Sequence, residues 1–111
     1  MASLYAQYLQ ERTEDCIWET KEGFATYRYI NGGNTVYVID IYVIPEARKN
    51  HHAAHMADRI AEIAKFKGCT EMIGTVVPGT KGSTDSLKVL LAYGMSLKSA
   101  GDNLIVMGRG L

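Results

Sequence analysis

The sequence predicts an α+β domain, a mixed β-sheet with helices on both faces, and three observations carry that prediction. Residues 35–44 are nearly all β-branched or aromatic and stop at Pro45, which cannot donate a ladder hydrogen bond. Beyond it Ala53, Met56, Ala57, Ile60, Ile63 and Ala64 recur at three- and four-residue intervals, one face of a helix that should stop at Gly68. A strand, a helix and a further strand in one sheet form a right-handed parallel crossover. The flanking apolar runs are joined by short turns, so they pair antiparallel and the sheet is mixed.

Taken in order, residues 3–12 place Leu4, Tyr5, Tyr8 and Leu9 on a helical stripe. Residues 16–21 suit a short strand and residues 24–30 a stronger one. Asn31, Gly32, Gly33 and Asn34 accept positive φ and turn the chain into the strand of residues 35–44. After the central helix, residues 71–77 form another strand, ended by Pro78 and Gly79. Ser83 is the expected N-cap of a second helix, with Asp85 in its first turn and Leu87, Leu90 and Leu91 inward. Gly94 ends that helix. Residues 95–99 and 104–108 then pair around Gly101, giving the order α-β-β-β-α-β-α-β-β.

Composition narrows the function classes. The 111 residues are 47% apolar and 22% charged, in keeping with one globular domain over residues 1–111. Twelve basic residues balance twelve acidic ones, which argues against a nucleic-acid partner held by bulk charge. The charge is uneven, though. Up to Ile44 there are three basic and six acidic residues, and after it nine basic and six acidic. Arg48, Lys49, His51, His52 and His55 gather at the start of the central helix, where free backbone N–H groups and the helix dipole favour an anion. Cys16 and Cys69 suit neither a disulfide framework nor a zinc motif; two reduced cysteines and the lack of a signal pattern predict a cytoplasmic protein. No apolar run reaches the roughly eighteen residues of a membrane span.

The stretch from Ile41 to Met56 resembles the signature of the GCN5-related N-acetyltransferase (GNAT) family, a strand ending V-x-P and then an R-x-x-G-x-G/A loop opening a helix. Val43, Pro45, Arg48, Ala53 and Met56 fall in register with it, and Tyr93-Gly94-Met95 stands where the family's second helix ends. The resemblance implies a GNAT-like sheet around a central crossover, with acetyl-coenzyme A as cosubstrate and a primary amine as acceptor. It implies that Ile41, Val43 and Ile44 pair with the pantetheine arm. Arg48, Lys49, Asn50, His51, His52, Ala53 and Ala54 would cradle its phosphates, and Ser86 would reach the same ligand. Two positions depart from the family. His51 stands at the first glycine, and Leu90 stands where many members carry a tyrosine that protonates the leaving thiolate. The family's acceptor pocket is built largely before the sheet, where this chain has one helix, so an open cleft for a protein lysine, an N-terminus or another large acceptor is expected.

Asp40 and Tyr42 are the candidate catalytic residues. By period two Asp40 shares a face with Val38 and Tyr42, and a carboxylate among apolar neighbours can accept a proton from an ammonium group. Capping or pairing with a strand neighbour fits Asp40 equally, and packing fits Tyr42 and Tyr37. His51 and His55 are one helical turn apart but lack a third ligand, so no metal is expected. Ser83 fits a cap or a cofactor contact. The rival to an acyltransferase is an inert domain that keeps the fold as a scaffold. A homodimer through the last strands is a further expectation.

Overall fold

The computed structural model describes residues 3–48 and 51–111, without the side chains of residues 83–86. Ser3 starts helix α1 (Leu4–Arg12), its hydroxyl accepting from the Ala6 amide at 3.0 Å. Strands β1 (Cys16–Glu19), β2 (Gly23–Ile30) and β3 (Thr35–Val43) follow as an antiparallel meander. Helix α2 (His52–Phe66) leads to β4 (Glu71–Val76), and helix α3 (Ser83–Ala92) to β5 (Ser96–Gly101) and β6 (Leu104–Gly110). The strands lie in the order β1-β2-β3-β4-β6-β5. Only β3 and β4 are parallel; the other neighbours are antiparallel. This is the mixed sheet the sequence predicts.

The core occupies one face. Ala25, Tyr27, Val36, Val43 and Met72 point from the strands into a cluster with Met56, Ile60 and Ala64 of α2. Leu87 and Leu90 of α3 pack on the same cluster, and Leu90 Cδ2 lies 3.5 Å from where a Cβ on Gly74 would stand. Helices α2 and α3 therefore share a face. α1 covers part of the other, where the Tyr5 ring meets Phe24 edge-on at 5.6 Å. α2 ends as its glycine dictates: Gly68 takes φ 97°, and the Cys69 amide turns back to the Ala64 carbonyl at 2.9 Å.

Three expectations need correction, the first being that Leu91 of α3, read as inward, is exposed. Ser83 is the first residue inside α3, not its cap; Gly82, at φ 81°, holds the cap position. Asp40 does not share a face with Val38. Thr26 pairs with Asp40 but Tyr27 with Val38, so Ile39 is an extra residue in β3. That β-bulge reverses the alternation. Val36 and Val38, then Ile41 and Val43, join the core, while Asp40 and Tyr42 emerge on the α1 face and are exposed. Asp40 is thus open to solvent rather than enclosed by apolar side chains.

Candidate cosubstrate and acceptor site

The bulge coincides with a parting of the two parallel strands. β3 pairs with β4 only from Thr35–Glu71 to Val38–Gly74. Past that point β4 stays with β6 through Val76, and β3 stays with β2 through Val43. Each strand keeps its outer partner, so the inner edges of both face an opening. Its apex is bridged on the α1 face by Tyr37 Oη and Thr75 Oγ1, 3.0 Å apart. Thr75 drew no notice in the sequence, where an isolated threonine in a strand carries no signal.

The loop after β3 leads to the helix start. Its first residues form a 3-10 turn, Pro45–Ala47. Arg48 folds back, Nε donating to the Val43 carbonyl at 2.9 Å, and its guanidinium stands 5.7 Å from the Tyr42 ring centroid. Tyr42 in turn stacks on Phe24 at 5.8 Å. A run of rings from α1 through β2 and β3 thus props the arginine at the mouth of the opening. His51 caps α2 in the left-handed region, φ 59° and ψ 20°, with no side-chain capping bond. A non-glycine residue there is strained by roughly 1–2 kcal/mol. The backbone has kept the conformation that a glycine would favour. The amides of His52, Ala53 and Ala54 have no acceptor among the described residues, whereas that of His55 donates to the His51 carbonyl at 3.0 Å.

Other expected site residues divide accordingly. Ile41 and Val43 turn their side chains to the core, and the Val43 carbonyl is taken by Arg48 Nε. Ile44 is a correction: its amide donates to the Glu22 carbonyl at 2.7 Å and its carbonyl accepts from Ala47 at 3.0 Å, so it serves the loop's own fold and not a ligand ladder. The His52 ring is a second correction. Its Nε2 lies 2.9 Å from Thr20 Oγ1, towards the β1–β2 turn and not towards an anion at the helix start. Lys49 and Asn50 lie outside the described residues, as does the side chain of Ser86. Among the described residues no three His, Cys, Asp or Glu side chains gather as a metal site, and no helix is long and apolar enough to cross a membrane.

Leu90 lies in the core over Gly74, beside the last paired residues of β3 and β4. Tyr93 does not replace the missing tyrosine. Its hydroxyl donates to Asp58 Oδ1 at 2.7 Å on the outer side of α2. Burial and that bond push its pKa up to about 12, with Arg109 opposing. A cavity of about 280 Å³ beside it, lined by Asp58, Glu62, Lys65 and Arg109 among others, shares no residue with the opening.

The sheet is mixed, its parallel pair parts after Val38–Gly74, and the first amides of α2 have no acceptor among the described residues. The acetyltransferase (GNAT) family model matches residues 4–88, and the chain belongs to that family. Among characterised relatives, thialysine N-epsilon-acetyltransferase of Sus scrofa is 32% identical over 71 residues, 61% of this chain and 42% of that protein. The Bos taurus protein of the same name is 33% identical over 64 residues, 58% of this chain and 38% of that protein. The chain thus spans about two fifths of these relatives. Similar folds include PaiA N-acetyltransferase from Thermoplasma acidophilum in complex with coenzyme A, at TM-score 0.76 and 15% identity, covering 95% of this chain and 66% of that one. A GNAT family acetyltransferase from Elizabethkingia anophelis with acetyl-CoA bound gives 0.74 and 14%, covering 97% and 82%.

Proposed function

We propose that this domain transfers an acyl group, in the first instance acetyl, from acyl-coenzyme A to a primary amine by direct attack. One observation carries the reading: β3 runs on past its last pairing with β4, and the amides of His52, Ala53 and Ala54 at the start of the next helix have no acceptor among the described residues. Such an opening fits a narrow polar arm, and the amides of His52, Ala53 and Ala54 with the Arg48 guanidinium fit the pyrophosphate. Acetyl-coenzyme A would bring a thioester, an electrophilic carbonyl with a good leaving group.

The chain's own groups would orient and receive. Main-chain groups of residues 39–42 on the inner edge of β3 hold the arm and direct a donor at the thioester oxygen, an electrostatic contribution often larger than that of any single acid or base. Asp40, exposed on the α1 face beside Tyr42, takes the proton the attacking ammonium must lose. Tyr42 steadies Arg48 by stacking, and its hydroxyl, which makes no hydrogen bond among the described residues, orients the acceptor. The named activity of the relatives supports an ε-amine as acceptor; the exposed sheet face around Asp40 also admits the lysine of a protein. With Leu90 in the core, the leaving thiolate takes its proton from solvent.

Isothermal titration with acetyl-coenzyme A, followed by mass spectrometry on thialysine, polyamines and lysine peptides, tests the proposal. Binding with an acetylated product supports it; no binding at millimolar ligand overturns it. The second reading, an inert scaffold, is favoured by strained His51 at the helix start. It predicts that coenzyme A binding appears only in His51→Gly. Cytoplasmic location and a homodimer are expectations of the same reading, tested by fractionation and by sedimentation.

A further inference from the structure

We infer that the β1–β2 turn is a clasp that holds the anion-binding loop in its binding shape, with Thr20, Glu22 and His52 as positioning residues. The inference rests on the acyl-coenzyme A reading above. The loop leaves the sheet at Ile44 and re-enters regular structure at His52, and both ends are tied to one turn. At the front, the Ile44 amide donates to the Glu22 carbonyl at 2.7 Å. At the back, His52 Nε2 shares a 2.9 Å hydrogen bond with Thr20 Oγ1, and Glu22 Oε2 lies 3.7 Å from the same nitrogen. Glu22 therefore touches both ends, by main chain and by side chain.

The turn is itself rigid. The Thr20 amide donates to the Gly23 carbonyl at 2.9 Å, and the Glu22 amide donates to Thr20 Oγ1 at 3.2 Å. Gly23 lets it sit this close, because a Cβ there would stand 2.0 Å from the Tyr42 carbonyl oxygen. None of these side chains is needed to close the hydrophobic core, which lies on the other elements of the sheet and on α2. Their common effect is to fix the distance between the end of β3 and the first amides of α2. Those amides must converge on one group, so fixing that distance lowers the ordering cost of binding.

Three readouts test the clasp. In Thr20→Val and His52→Leu, the affinity for coenzyme A by calorimetry should fall about tenfold, the scale of one hydrogen bond. The double variant should be no weaker than either single, and His52→Gln, which can still bond Thr20, should recover most of the affinity. In Thr20→Val the KM for acetyl-coenzyme A should rise while kcat holds. Independently of any ligand, amide hydrogen exchange at Ile44 should quicken in Thr20→Val and His52→Leu but not in His52→Gln. Additive losses, unchanged affinity, or unchanged exchange at Ile44 would overturn the clasp. If the wild-type chain binds no coenzyme A, the acyltransferase reading fails, and exchange at Ile44 alone decides whether the turn clasps the loop.

Discussion

Val38 and Asp40 are two residues apart in one strand and lie on opposite faces of the sheet. The unpaired Ile39 between them turns the carboxylate away from the core and towards the α1 face. The same residue marks the end of pairing between β3 and β4. One insertion in the ladder therefore both frees the strand edge and presents Asp40 beside it.

Asp40→Asn isolates the chemistry from the fold. Asp40 is exposed and makes no hydrogen bond or ion pair among the described residues, so its loss should leave the melting temperature and coenzyme A affinity alone. The acetylation rate at neutral pH should drop by about a hundredfold or more, the scale of a lost general base. A retained rate would remove Asp40 from the mechanism.

His51→Gly addresses the helix start. Glycine takes φ 59° without strain, so the variant should gain roughly 0.5–1 kcal/mol of stability. In a chain of this size that is a rise of about 3 °C in Tm, read by circular dichroism. A fall in Tm would mean that the imidazole makes contacts worth more than the backbone strain.

Two glycines in the strands that flank β3 should answer oppositely to alanine. At Gly74 the new methyl meets Leu90 Cδ2 at 3.5 Å, ordinary contact, so Gly74→Ala should be tolerated. At Gly23 it meets the Tyr42 carbonyl at 2.0 Å, backbone that cannot step aside. Gly23→Ala should therefore cost about 2 kcal/mol or more in denaturant titration and weaken coenzyme A binding as well.

Two tyrosines give stability a dependence on alkaline pH. Burial, chiefly, pushes Tyr29 up to about 12, and Tyr93 likewise, aided by Asp58. The folded state thus favours the neutral phenol. That contribution is whole below the ordinary value of 10 and is lost as pH rises through 12. Thermal melts between pH 10 and 12 should show the loss, reduced in Tyr93→Phe. Tyr29→Phe should also leave stability at pH 7 unchanged or raised, because its hydroxyl is buried with no partner among the described residues. The ring would keep its place 5.5 Å from Lys67 Nζ.

Local signals in the chain suffice for the element order. Pro45, Gly68 and Gly94 punctuate, and the spacing from Ala53 to Ala64 declares one helix face. The run from Val43 through Arg48 to Ala53 carries the family resemblance, and with it the expectation of an anion-binding loop. What the spacing missed has a common cause. A bulge at Ile39 depends on how β2 pairs across from it, and no residue type announces that. The His52–Thr20 bond spans 32 positions, and Thr75 gains meaning only opposite Tyr37.

The sequence by itself determined a strand–loop–helix crossover and the cationic helix start, because helical period, proline and glycine act within a few residues. Tertiary structure alone decided which face Asp40 occupies, which of the first α2 amides lack an acceptor among the described residues, and that the β1–β2 turn holds the loop at both ends. Those outcomes turn on register and on hydrogen bonds between distant segments, where a shift of one residue reverses a side chain and a single acceptor decides whether an amide is free.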